Sequence, residues 1–125
     1  MRVKEQSQRQ LQVAQEIRRI LASLIESGEV RNLHEVNALV TISEVRVSPD
    51  LKYAFVYMIT SVDSENKKAL DALTLAANYL RKQVSKKMSL RYTPELVFKL
   101  DESFAAVDKI DKILNTDKVK KDLDK

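Results

Sequence analysis

The sequence predicts an α+β domain in which helices lie on one face of a three-stranded sheet, in the order helix, strand, strand, helix, helix, strand. Three observations lead there. Apolar residues recur at three- and four-residue steps from Leu11 to Ile25. Two runs rich in β-branched and aromatic residues flank Ser48-Pro49-Asp50, and a second long helical pattern is followed by Pro94 and a short alternating run. With 125 residues, 44% of them hydrophobic, one domain can bury about two thirds of its unfolded surface and needs no covalent staple.

In the first helix Leu11, Ala14, Ile17, Leu21, Leu24 and Ile25 share one face, and Arg9, Glu16, Arg19 and Glu26 lie opposite. Ser7 with Gln10 forms a capping box and Gly28 supplies a left-handed stop, so the helix is predicted from Ser7 to Ser27. Leu39 to Val47 and Tyr53 to Ser61 read as a β-hairpin around the Ser48-Pro49-Asp50 turn. Along its second strand Ala54, Val56 and Met58 share one face while Tyr53, Phe55, Tyr57 and Ile59 share the other.

Asp63 or Ser64 is the expected cap of the next helix, with Glu65 in its first turn and Leu70, Leu73, Ala77, Leu80, Val84 and Met88 as its buried stripe. Asn78 follows two alanines and tolerates left-handed backbone, so two helices are expected to meet at Ala76 to Asn78. Pro94 keeps Thr93 out of helical geometry, and Leu96 to Leu100 reads as the third strand. Asp101 or Ser103 would cap a last short helix using Val107, Ile110 and Leu114. The folded domain is thus expected over residues 1–114. Residues 115–125, seven of eleven charged, are expected to be a disordered tail.

Composition removes several kinds of chemistry. A single glycine cannot build the Gly-rich phosphate loops of nucleotide-binding folds. The absence of cysteine excludes disulfides, thiolate zinc sites and thiol nucleophiles. His34 is the only histidine; in His34-Glu35 the partner that a zinc-protease helix requires at position 38 is Ala38, so His34 reads as an ordinary loop residue. The expectation is no enzyme, no metal and no cofactor. The longest uncharged apolar stretch, Tyr53 to Val62, is ten residues, half the roughly 20 of a membrane span; a cytoplasmic, monomeric protein with no membrane partner is expected.

The net charge of +4 is unevenly spread. Residues 76–99 hold six basic side chains and one acidic, whereas residues 29–75 hold five basic and seven acidic. Arg81, Lys82, Lys86, Lys87 and Arg91 fall within this stretch, Lys82 and Lys86 one helical turn apart. A run of charge is often only a solvated face, but scarcity of acidic neighbours favours a polyanion, above all nucleic acid. Tyr53, Phe55 and Tyr57 form an aromatic row that could stack on bases or meet a protein, although aromatics are also simply favoured in strands.

The element order is that of the type II KH fold. Val47-Ser48-Pro49-Asp50-Leu51, Leu90-Arg91-Tyr92-Thr93-Pro94-Glu95-Leu96, Asp101-Glu102-Ser103 and, in the first helix, Arg9 with Val13-Ala14-Gln15-Glu16-Ile17-Arg18-Arg19-Ile20-Leu21 strongly resemble the bacterial ribosome-binding factor A family. The likeness runs from about Ser7 to Leu114. It implies a non-enzymatic assembly factor that binds the free 30S subunit and its 16S rRNA, late in maturation and rRNA processing, and that could meet other assembly factors. It also implies that the KH Gly-x-x-Gly loop is replaced by a kinked helix, usually Ala-x-Gly and here Ala76-Ala77-Asn78. The family's Gly-x-Arg near the end is Val107-Asp108-Lys109. RNA contacts are then expected from Arg81, Lys82, Lys86, Lys87 and Arg91, helped by Arg9, Arg18 or Arg19. The rival expectation is a protein-interaction module using the aromatic sheet face.

Overall fold

Ser7 opens helix α1 (Gln8–Glu26) with both halves of the capping box made: its hydroxyl accepts from the Gln10 amide at 3.1 Å and the Gln10 side chain accepts from the Ser7 amide at 2.8 Å. The same Gln10 side chain donates to the Val47 carbonyl at 2.6 Å, tying the start of α1 to the end of the first strand. The computed structural model describes residues 6–88, 90 and 92–102. The expected last helix and the tail from residue 115 lie outside the described residues.

Gly28 ends α1 at φ +81. A methyl group added there would meet only His34 Nε2, at an ordinary 3.8 Å, so the cost of a side chain lies in the backbone and not in crowding. Gly28→Ala should therefore lose about 1–2 kcal/mol, the penalty of left-handed geometry for an L-residue, seen as a lower urea midpoint at unchanged slope.

Strands β1 (Val40–Val47) and β2 (Tyr53–Thr60) pair antiparallel from Val40 with Thr60 to Val47 with Ala54, with an irregularity between Ile42 and Glu44. Their turn places Leu51 at φ 61, the one non-glycine residue at positive φ among the described residues. The third strand, β3 (Glu95–Leu100), pairs parallel to β2, giving the order β1-β2-β3 with β2 central. A parallel partner requires the chain to return to the start of β2, and the two intervening helices make that crossing.

Those helices are α2 (Asn66–Leu75) and α3 (Ala77–Lys87). The expected cap differs: Asp63 and Ser64 form a 3-10 turn with Glu65, and Glu65 stands at the cap position without a side-chain hydrogen bond. Asn66 is already committed elsewhere, since its Oδ1 accepts from the amide and hydroxyl of Thr60 at 3.1 and 2.5 Å. The break between α2 and α3 falls within the expected Ala76 to Asn78, but not on Asn78. It sits on Ala76 at φ −88, ψ 2, while Asn78 is inside α3. That bridge region is open to an ordinary L-residue, so no left-handed residue is needed. The Ala76 amide still donates to Ala72 and Leu73 carbonyls at 3.1 Å, and the Ala76 carbonyl accepts from the Leu80 amide at 2.9 Å.

The core lies between the helices and one sheet face. Ile17 and Leu21 of α1, Ala54, Val56 and Met58 of β2, Leu73 of α2, and Leu80 and Val84 of α3 are all fully buried. Leu96 and Phe98 of β3 complete it, whereas Leu70, Ala77 and Met88 pack only at its margin. Among the described residues no helix is long and apolar enough to cross a membrane.

Candidate nucleic-acid interface

Leu80 and Val84 fix the inner side of α3, which turns Arg81, Lys82, Lys86 and Lys87 to solvent. Lys86 and Lys87 occupy its last turn, where a cation also complements the helix carbonyl end. Arg81 has a more defined task. Its Nε and Nη2 donate to the Thr93 carbonyl at 3.1 and 2.8 Å, using two of its five N–H groups to hold the segment before Pro94 against α3.

Two depressions meet at this clamp. One is a cleft of about 530 Å³ between the start of α1 and the β1–β2 turn, with Arg9, Lys52, Tyr53, Leu90 and Tyr92 among its walls. The other, of about 430 Å³, holds Asn78, Lys82 and Ser85. Arg81, Tyr92 and Thr93 border both. The result is one surface on which Arg9, Lys52, Arg81 and Lys82 are brought together from three separate elements. Asp50 and Glu95 also line the cleft. The Asp50 carboxyl is held below its ordinary value, first by the Ser48 hydroxyl and then by the Lys52 amide, which donate to it at 2.6 and 3.0 Å.

Arg18 and Arg19 lie elsewhere. About nine residues along α1 from Arg9, roughly 13 Å at helical rise, they line a different depression with Val40, Thr41 and Ile42. Arg18 Nε donates to the Ile42 carbonyl at 3.3 Å and Arg19 pairs with Glu16. Arg91 lies outside the described residues. Lys52 and Tyr92 were not singled out from the sequence, because each sits in a non-periodic segment beside a proline turn, and only the fold brings the two turns together.

On the outer sheet face the Tyr53 and Phe55 rings stack with centroids 6.3 Å apart, and Lys99 Nζ lies 5.4 Å from the Phe55 centroid. Phe55 is thus engaged within the chain by both Tyr53 and Lys99. His34 Nε2 donates to the Gly28 carbonyl at 3.0 Å, sealing the end of α1.

The family profile of ribosome-binding factor A matches residues 9–114. The chain belongs to the ribosome-binding factor A family. It is 41% identical over 119 residues to ribosome-binding factor A of Dinoroseobacter shibae, spanning 95% of this chain and 88% of that one. The crystal structure of ribosome-binding factor A from Thermus thermophilus superposes with TM-score 0.64 at 26% identity, covering 75% of this chain and 98% of that one. A homology model of the Thermus thermophilus factor, fitted into a cryo-electron-microscopy map of a 30S complex, shows the same fold with TM-score 0.55 at 23% identity, over 76% and 93% of the two chains.

The fold of this ribosome-binding factor A family member is therefore KH-like. KH domains clamp nucleotide backbone with a Gly-x-x-Gly loop. Here the α2–α3 junction is Ala76-Ala77-Asn78 with helical hydrogen bonds running through it. The Ala76 amide is spent inside the protein, and without the glycines that let backbone approach a phosphate, side chains are left to make contact.

Proposed function

We propose that this chain binds the small ribosomal subunit late in its maturation and assists 16S rRNA processing, acting in the cytoplasm as a monomer and without catalysis of its own. The observation that carries this reading is the gathering of basic side chains on either side of the Arg81–Thr93 clamp, with Arg9 and Lys52 on one side and Lys82 on the other. Lys82, Lys86 and Lys87, with Arg9 and Arg81, would neutralise rRNA phosphates. Such contacts position the protein and carry little sequence information. The placing of the Thermus thermophilus relative in a 30S complex supports the same partner.

Sedimentation of lysate across a salt series tests it. The protein should travel with free small subunits at low salt and be released with a log–log slope between about −3 and −4.5, the value for four or five phosphates. Migration with neither subunits nor ribosomes at low salt would overturn the reading. Salt-tolerant association, lost when Tyr53 and Phe55 are replaced, would transfer the contact to the outer sheet face.

A further inference from the structure

We infer that the cleft between the start of α1 and the β1–β2 turn is a seat for one unstacked base of single-stranded RNA; this rests on the reading of the chain as an rRNA-binding protein. The cleft's position, lining and size argue for it. Its floor is apolar: Val13 and Pro94 are buried, and Leu51 and Leu90 are half-buried beside them. Its rim carries Tyr92, at 78% exposure, and Tyr53, at 43% exposure with its ring stacked on Phe55. Flat aromatic faces above an apolar floor suit a flat ring, and stacking on tyrosine is available to every base.

The charges complete the fit. A base arrives attached to a phosphate, and Arg9 and Lys52 stand on the same rim. Asp50 and Glu95 lie there too, so even with Arg81 the cleft carries a single net positive charge and would not hold phosphate by charge alone. The ring must supply the remainder of the affinity. At about 530 Å³ the cleft is within the roughly 300–1,000 Å³ of small-ligand sites, and too small for duplex, whose bases are in any case stacked away from a side-chain wall. Because Tyr92 also borders the Lys82 depression, a strand could run its phosphates along α3 and turn one base inward past the clamp.

The test uses the full chain and two hexanucleotides, one with a single adenine among five abasic residues and one wholly abasic. The adenine-bearing strand should bind roughly tenfold tighter, the contribution of one stacked base, and should move the amide resonances of Leu51, Lys52 and Thr93. Tyr92→Ala should erase the difference between strands, and Tyr92→Phe should restore it. Tyr92 is exposed, so neither change threatens the fold. Equal binding of the two strands, or a difference that survives Tyr92→Ala, overturns the base seat. So does loss of small-subunit binding by Tyr92→Ala with the strand preference intact, which would assign the cleft to a ribosomal protein. Equal strand binding by a chain that still sediments with small subunits removes the seat alone; loss of both removes the rRNA reading with it.

Discussion

Lys82→Glu combined with Lys86→Glu should weaken binding to small subunits about a hundredfold at low salt and reduce the salt slope by about two. The magnitude follows from two charge-assisted contacts at the lower end of their range, about 1.5 kcal/mol each, and a factor of ten for every 1.4 kcal/mol. Both side chains are solvent-exposed on α3, one turn apart, with the core residue Val84 between them on the inner side. Stability should change little, by about 0.3–1 kcal/mol for the cation lost from the last turn. Lys67→Glu provides the comparison. It reverses one charge on α2, half the change made on α3, at a lysine that pairs with Asp71 at 3.2 Å, and should leave subunit binding unaltered. Equilibrium sedimentation with purified small subunits at several salt concentrations measures both the affinity and the slope.

The second large effect concerns stability. Leu80→Ala should cost about 2–5 kcal/mol, the range for a leucine truncated inside a packed core, and lower the melting temperature by roughly 10 °C or more. Leu80 is fully buried and is the first large apolar anchor of α3. With 11 residues, that helix is shorter than the roughly 12–15 at which a helix becomes marginally stable alone, so packing holds it in place. Leu75→Ala, five positions earlier, should change stability by less than about 0.5 kcal/mol, because Leu75 is 78% exposed. Thermal denaturation of the pair separates burial from helix propensity, since both substitutions replace leucine by the better helix former.

Features written locally in the chain were legible. The capping box at Ser7 and Gln10, the stop at Gly28 and the strand pair around Ser48-Pro49-Asp50 each depend on residues within a few positions of one another. Features set by distant partners were not. Asp63 and Ser64 have cap chemistry, yet the bond between Asn66 and Thr60 pulls the segment into a 3-10 turn first. Asn78 has the chemistry for unusual backbone, but the break needs only ψ near zero, and Ala76 provides it. The basic residues of α3 stood out by their scarcity of acidic neighbours. That Arg9 joins Arg81 around one cleft while Arg18 and Arg19 face another follows from where α1 crosses the sheet, and helical spacing alone cannot supply it.

The parallel pairing of β2 with β3 has a consequence for how the chain reaches this state. The hairpin closes over a turn of a few residues, but Tyr53 meets Glu95, and Met58 meets Leu100, only after the chain has crossed two helices. Long closures of this kind are slow, because their entropy is lost before the contacts form. During synthesis β1 and β2 are available long before residues 95–100, and until those arrive the far side of β2 is an unpaired edge. An edge in that condition can recruit strands from other chains. The hazardous interval for this molecule is thus the time between translation of the hairpin and delivery of six residues from Glu95 to Leu100, and a ribosome stalled before Glu95 holds a chain that cannot close that edge.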